Sequence, residues 1–249
     1  AIQIQRSLGV QRGKSDAVDA QRIGLYAYKN RQDARLWVPR REVVEQLKEL
    51  LKLRERVLNN LTRLKKPIKE LQSHGNAQIA KLIADSSQRA IEGEQQALAA
   101  IEAKLDELLD EDPELSRLKG LITSVDGIGQ LTAAQVIVDT NEFKNIKEGK
   151  EYACYSGVAP FEHSSGSSVR SRSRVSHRAN KRSKTLFHMA AISSIRIVGE
   201  LKAYYEQKVA AGKNKMSVIN AMRNKLILRV FACVRDNRPY QKEYAHALA

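Results

Sequence analysis

Only two cysteines, Cys154 and Cys233, occur in the 249 residues, too few for a disulfide framework and not at metal-ligand spacing. Aromatic residues make up 5% of the chain, which argues against a base-stacking platform of the single-strand-binding kind. No apolar run approaches the ~20 residues of a membrane span, and no signal-peptide pattern opens the chain. A cytoplasmic setting and no membrane partner are therefore expected. Acid is absent where base is dense. No Asp or Glu stands between Glu162 and Glu200, while Arg170, Arg172, Arg174, Arg178, Lys181, Arg182 and Lys184 fall within fifteen residues. Such a run carries too much charge to form a core, and its repulsion calls for an outside counter-charge, most simply a phosphate backbone. A solvated, flexible loop is the plainer alternative. The formal charge of +15 favours nucleic acid as partner.

Ile2 to Ile4 reads as a short strand and Ser7 to Ser15 as a loop. Ser15 can cap a helix over Ala17 to Tyr28 whose first turn holds Asp16 and Asp19. These carboxylates, at i and i+3, share one face; they suit a divalent metal, or they are an ordinary acidic first turn. Val43, Leu47, Leu50, Arg54, Val57, Leu61, Leu64, Ile68 and Leu71 form a coiled-coil seam broken by Arg54, and Pro67 predicts a kink or break near Lys65 and Lys66. After the turn at Ser73 to Ala77, Ile91, Leu98, Ile101, Leu105 and Leu108 repeat the spacing apart from Glu94, so an antiparallel hairpin is expected. An apolar helix then runs into Gly127, Ile128 and Gly129, and a second begins near Leu131 and Thr132. This is the pattern of a helix-hairpin-helix element, which offers backbone N–H groups to a DNA phosphate, or of a tight turn whose glycines serve positive φ and close packing. Cys154 has apolar neighbours and reads as a structural thiol, and His163 beside Ser164 and Ser165 is weak evidence for an activated serine. Leu186 to Val198 and Met216 to Val234 complete a helical C-terminal part. Met216, Ile219, Met222, Leu226, Val230 and Cys233 mark its last apolar face.

In order, RGKSDAVDAQRI, the coiled-coil insert, SVDGIGQLTAAQVIVD, YSGVAPFEHSSGS, the basic run with RANKRSKTLFHMAA, and NKMSVINAMRNKLILRVF resemble the DEDD-type insertion-sequence transposases. These are the IS-one-ten and IS-eleven-eleven group of bridge-RNA-guided DNA recombinases, with Piv-type invertases as relatives. The resemblance implies a mainly α chain. Residues 1–40 would be the remnant of an α/β RuvC-like (RNase H-like) domain, 41–112 a coiled-coil hairpin, and 113–249 a C-terminal transposase domain with a helix-hairpin-helix element. It implies Asp16 and Asp19 as two of four acidic ligands for Mg²⁺, and Ser165, before Gly166, as the nucleophile toward DNA, with Ser164 the runner-up. It also implies DNA (element ends and target) and a guide RNA as partners, a homo-oligomer (dimer or dimer of dimers), and a bacterial, nucleoid-associated location. Metal and acids would activate the serine, and arginines of the basic run would offset charge on the phosphate. The chain opens at Ala1 without methionine, in what reads as the middle of a fold, so part of a longer protein is expected. With its Asp and Glu partners upstream of this stretch, such a part should bind nucleic acid without cleaving DNA unaided. Two other functions remain open on the residues alone. A non-catalytic DNA- or RNA-binding scaffold would bind any duplex and never cleave, and a metal-dependent junction resolvase would need Asp16 and Asp19 but not Ser165.

Overall fold

A computed structural model describes residues 15–33, 38–159, 161–165, 169–174 and 179–241, the two strands by their backbone. The protein is mainly α, as expected, and divides into two compact units, Ala1–Pro39 and Arg40–Ala249. The strand expected at Ile2 to Ile4 lies outside the described residues. In the first unit, helix α1 (Asp16–Lys29) starts where the cap residue predicts, Ser15 Oγ accepting from the Val18 amide at 3.3 Å.

The second unit opens with α2 (Glu42–Ser73) and α3 (Ala77–Glu111), two long helices packed antiparallel. Leu47, Val57, Leu61 and Ile68 are buried along the seam, while Val44 and Leu51 are buried in place of their expected neighbours Val43 and Leu50, which are half-buried. The seam's polar interruptions find partners across the pair. Arg54 Nε donates to Glu102 Oε1 at 2.8 Å, and Asn60 Nδ2 donates to Glu94 Oε1 at 2.9 Å. The break expected at Pro67 does not occur, since α2 runs through it to Ser73. Proline removes one hydrogen bond, and the long helix is held on both sides of that point by its apolar contacts with α3.

The remaining helices pack as a bundle at the base of this arm: α4 (Pro113–Thr123), α5 (Gln130–Thr140), α6 (Gly149–Tyr155), α7 (Lys181–Arg196), α8 (Glu200–Ala210) and α9 (Lys215–Arg235). Tyr152 and Phe187 are fully buried at its centre; the Tyr152 ring lies 5.4 Å from Phe231, and Phe231 lies 4.9 Å from Phe143. Ile219, Met222, Leu226, Val230 and Cys233 are buried on α9 as expected, whereas Met216 is exposed. Arm and bundle are joined by Arg41. Its Nη1 and Nη2 donate to both oxygens of Asp112, at 2.7 and 2.9 Å, and its Nε to Glu142 Oε1 at 2.9 Å. Asp112 in turn caps α4 by accepting from the Leu115 amide. Between α6 and α7 the chain forms a two-stranded antiparallel ribbon, β1 (Phe161–Ser165) and β2 (Val169–Arg174). A solvated, flexible loop was the plainer alternative there. Alternation of serine and arginine has the two-residue period of a strand, but the density of charge masks it as a sequence signal.

Candidate nucleic-acid interface

The ribbon carries the predicted serine. Ser165 ends β1 opposite Val169, and Ser164 stands opposite Arg170 in register. Arg170, Arg172 and Arg174 all lie on β2, with an irregularity in the pairing between Ser171 and Arg174. Arg178 and Gly166 lie outside the described residues. The chain leaves α6 and enters α7 at neighbouring points. Leaving α6, the chain turns at Gly157, φ +67°, where a Cβ would stand 2.6 Å from the Ala179 Cβ. Only glycine permits both that backbone and that approach. The segment that leaves α6 and the one that enters α7 are thereby side by side, and the Asn180 amide donates to the Tyr155 carbonyl at 2.8 Å.

At this junction lies Asp139, on α5. Gln135 Nε2 (2.7 Å), Asn180 Nδ2 (3.3 Å) and Tyr155 Oη (3.5 Å) donate to its Oδ1, and Tyr152 Oη (2.9 Å) and Ser183 Oγ donate to its Oδ2. Asn180 also caps α7, its Oδ1 accepting from the Arg182 and Ser183 amides. One carboxylate thus ties α5, α6 and the start of α7 together. Burial pushes the Asp139 carboxyl above its ordinary range, and the hydrogen bonds offset that in part. Burial likewise raises Tyr152 well above 10 and raises Tyr155. These hydroxyls are therefore protonated donors at neutral pH, and the cluster orients rather than reacts.

Sequence reasoning passed over Asp139. A signal was there: every residue from Thr132 to Val138 is buried, and a lone acid closing such an apolar run needs partners. Only Gln135 is near in sequence; the other four partners come from 13 and more residues away.

The basic residues of α7 divide. Lys181 is exposed and Lys184 half-buried. Arg182, expected on a phosphate, is turned inward: Nη2 donates to the Leu51 carbonyl at 2.7 Å and Nη1 to Glu55 at 3.2 Å, locking α7 to the arm. In the Gly127 to Gly129 turn, Gly127 (φ +88°) lies so close to α7 that a Cβ would meet the Ala190 carbonyl oxygen at 2.6 Å. Ile128 and Thr132 are buried, while Gly129 faces open space ahead of α5. Close packing accounts for Gly127, and the free face of the turn is reduced to the start of α5, where first-turn N–H groups lack intrahelical partners.

Asp16 and Asp19 occupy the first turn of α1 in the other unit, and Asp19 accepts from Arg22 Nη1 at 3.4 Å. Among the described residues no three His, Cys, Asp or Glu side chains converge as a metal site. Two carboxylates fall short of the near-octahedral oxygen set that Mg²⁺ takes. No helix among the described residues is long and apolar enough to cross a membrane.

Comparison with known proteins bears on the same region. The model of the Transposase IS116/IS110/IS902 family matches residues 119–206, from α4 through the ribbon into α8. The pilin gene-inverting protein of Moraxella bovis is 27% identical over 238 residues, 95% of this chain and 70% of that protein. Its counterpart from Moraxella lacunata is likewise 27% identical over the same span. An IS110 insertion-element protein of Streptomyces coelicolor is 27% identical over 142 residues, 57% of this chain and 34% of that protein.

Proposed function

We propose, from the premise that the chain carries the transposase domain of the IS116/IS110/IS902 family over residues 119–206, that it is a DNA transposase or recombinase of an insertion element. The relatives named for pilin gene inversion support action on DNA. The observation that carries the proposal is the ribbon, two serines at the end of one strand facing an arginine-bearing strand, set between α6 and α7, which the Asp139 cluster ties together. In the reaction, Ser165 Oγ attacks a DNA phosphorus. The Oγ–P bond forms as the bond to one deoxyribose oxygen breaks, and that oxygen leaves as a hydroxyl bearing the proton lost by the serine. Rejoining reverses the step with a different deoxyribose hydroxyl, so the phosphodiester energy is kept without ATP. Arg170, Arg172 and Arg174 offset the charge on the phosphate. Lys181, Lys184 and the N–H groups at Gly129 hold the backbone nearby.

Asp16 and Asp19 are proposed as Mg²⁺ ligands that need further oxygen ligands from beyond the described residues or from the DNA. Guide-RNA binding, assembly of more than one copy, and the division into RuvC-like, coiled-coil and transposase parts belong to the same proposal. The test is a covalent-adduct assay on labelled element-end DNA, run with the complete protein and with its Ser165→Ala and Asp19→Asn variants. Ser165→Ala should abolish the adduct and leave duplex affinity intact. An adduct that survives moves the nucleophile to Ser164 if Ser164→Ala then removes it, and refutes serine chemistry if it does not.

A further inference from the structure

Arg223, on α9, is 6% exposed and forms no ion pair among the described residues. Its Nε has no hydrogen-bond partner among the described residues. Nη1 reaches Asn220 Oδ1 at 3.4 Å, and Nη2 lies 2.6 Å from His188 Nδ1. A buried guanidinium answered by one amide and one imidazole is a charge without compensation, a costly arrangement unless an anion completes it. Burial, and then the charge of Arg223, holds the His188 pKa down. A neutral His188 accepts the Arg223 N–H at Nδ1 and keeps Nε2–H as a donor.

The position is informative. Asn220 Nδ2 donates to the Val158 carbonyl at 3.0 Å. Lys184, one turn before His188 on α7, has its Cδ 4.0 Å from the point where a Gly157 Cβ would stand. Lys184 on α7 therefore borders Gly157, and Asn220, the amide that Arg223 reaches on α9, holds Val158 in the segment that leads toward β1. His188 and Asn220 are half-buried, so the guanidinium lies just below the surface.

We propose that Arg223, with His188 and Lys184 beside it, binds one phosphodiester group next to the segment that leads toward β1. The guanidinium fork, the Nε2–H and an ammonium are a donor set for a tetrahedral oxyanion of single charge. As a DNA subsite this rests on the function proposed above, but its test does not. The probe is dimethyl phosphate, a diester with no base and no sugar, titrated into the full chain while the ring Cε1–H signal of His188 is followed by NMR. A saturable shift is expected in the wild-type protein.

Arg223→Met should lose that shift while matching or exceeding the wild-type stability in urea, because it removes a buried unpaired charge. Arg223→Lys keeps the cation but not the fork, and should bind about tenfold more weakly. No saturable shift in the wild-type protein, the same affinity in either variant, or an Arg223→Met chain without a cooperative urea transition overturns the inference. A labelled duplex in the same samples tests the wider function separately. A chain that takes dimethyl phosphate but no duplex keeps this site and refutes the action on DNA.

Discussion

Replacing Asp139 separates two ways in which a carboxylate can hold a fold. In Asp139→Ala the five donors lose their acceptor. Tyr155 and Asn180 have access to water, but Tyr152, Ser183 and Gln135 are buried. A stranded buried donor costs about 1–3 kcal/mol. The vacated space is lined by polar groups, so a water can enter and keep each cost at the low end. Three donors then give a loss of about 3 kcal/mol, or roughly 6–12 °C in Tm for a chain of this size. Asp139→Asn is different. An amide oxygen can keep Gln135 and Asn180, and its NH2 group then meets the hydroxyls of Tyr152 and Ser183, which can rotate to accept. Burial already disfavours the charged carboxylate, so losing the charge forfeits little, and a change within about 1 kcal/mol is expected.

The sign with pH follows from the raised carboxyl. Its favourable contribution is complete below the unfolded-state value near 4 and is lost as pH rises through the folded value, so wild-type stability falls across that window. Asp139→Asn should flatten this dependence. Urea melts of the three proteins from pH 4 to 8 decide the matter. If Asp139→Asn costs as much as Asp139→Ala, the cluster works through charge and not through its hydrogen bonds; if neither costs anything, the cluster does not hold the fold.

Further substitutions probe other parts. Gly127→Ala places a Cβ 2.6 Å from the Ala190 carbonyl oxygen at φ +88° and should cost about 2–4 kcal/mol in urea, while Gly129→Ala, with nothing within 4 Å, should stay within about 0.5 kcal/mol. Arg41 holds the Asp112 carboxyl down at about 2, so its stabilisation is full above the unfolded value near 4 and is lost as pH falls through 2. Discounted for partial exposure of the pair, Asp112→Asn should cost about 1 kcal/mol at pH 7 and remove that acid step, seen in melts from pH 2 to 7. Lys181→Gln and Lys184→Gln should each lower the slope of log affinity for duplex DNA against log salt by about 1. Arg182→Gln should leave the slope unchanged and lower stability, since its guanidinium is engaged by Leu51 and Glu55; a change in slope would return it to the phosphate face.

The sequence by itself determined the helices and the order of the motifs. Ser15, Asp112 with Pro113, and the alternating four- and three-residue steps of the seam are local signals, set by capping geometry and by the helical period within a few residues. The helical character of residues 130–140 and 215–235 was legible for the same reason. Tertiary structure decided what those helices do for one another. Strand pairing between Phe161–Ser165 and Val169–Arg174 outweighs the loop-like composition of that stretch, and neighbouring segments supply what turns Arg182 away from solvent and fills the space against Gly127. Asp139 and Arg223 show the division most clearly. Each is a charged side chain turned into the bundle, and by what it is satisfied depends largely on side chains 13 to 44 residues away that come together only when the bundle closes and water leaves.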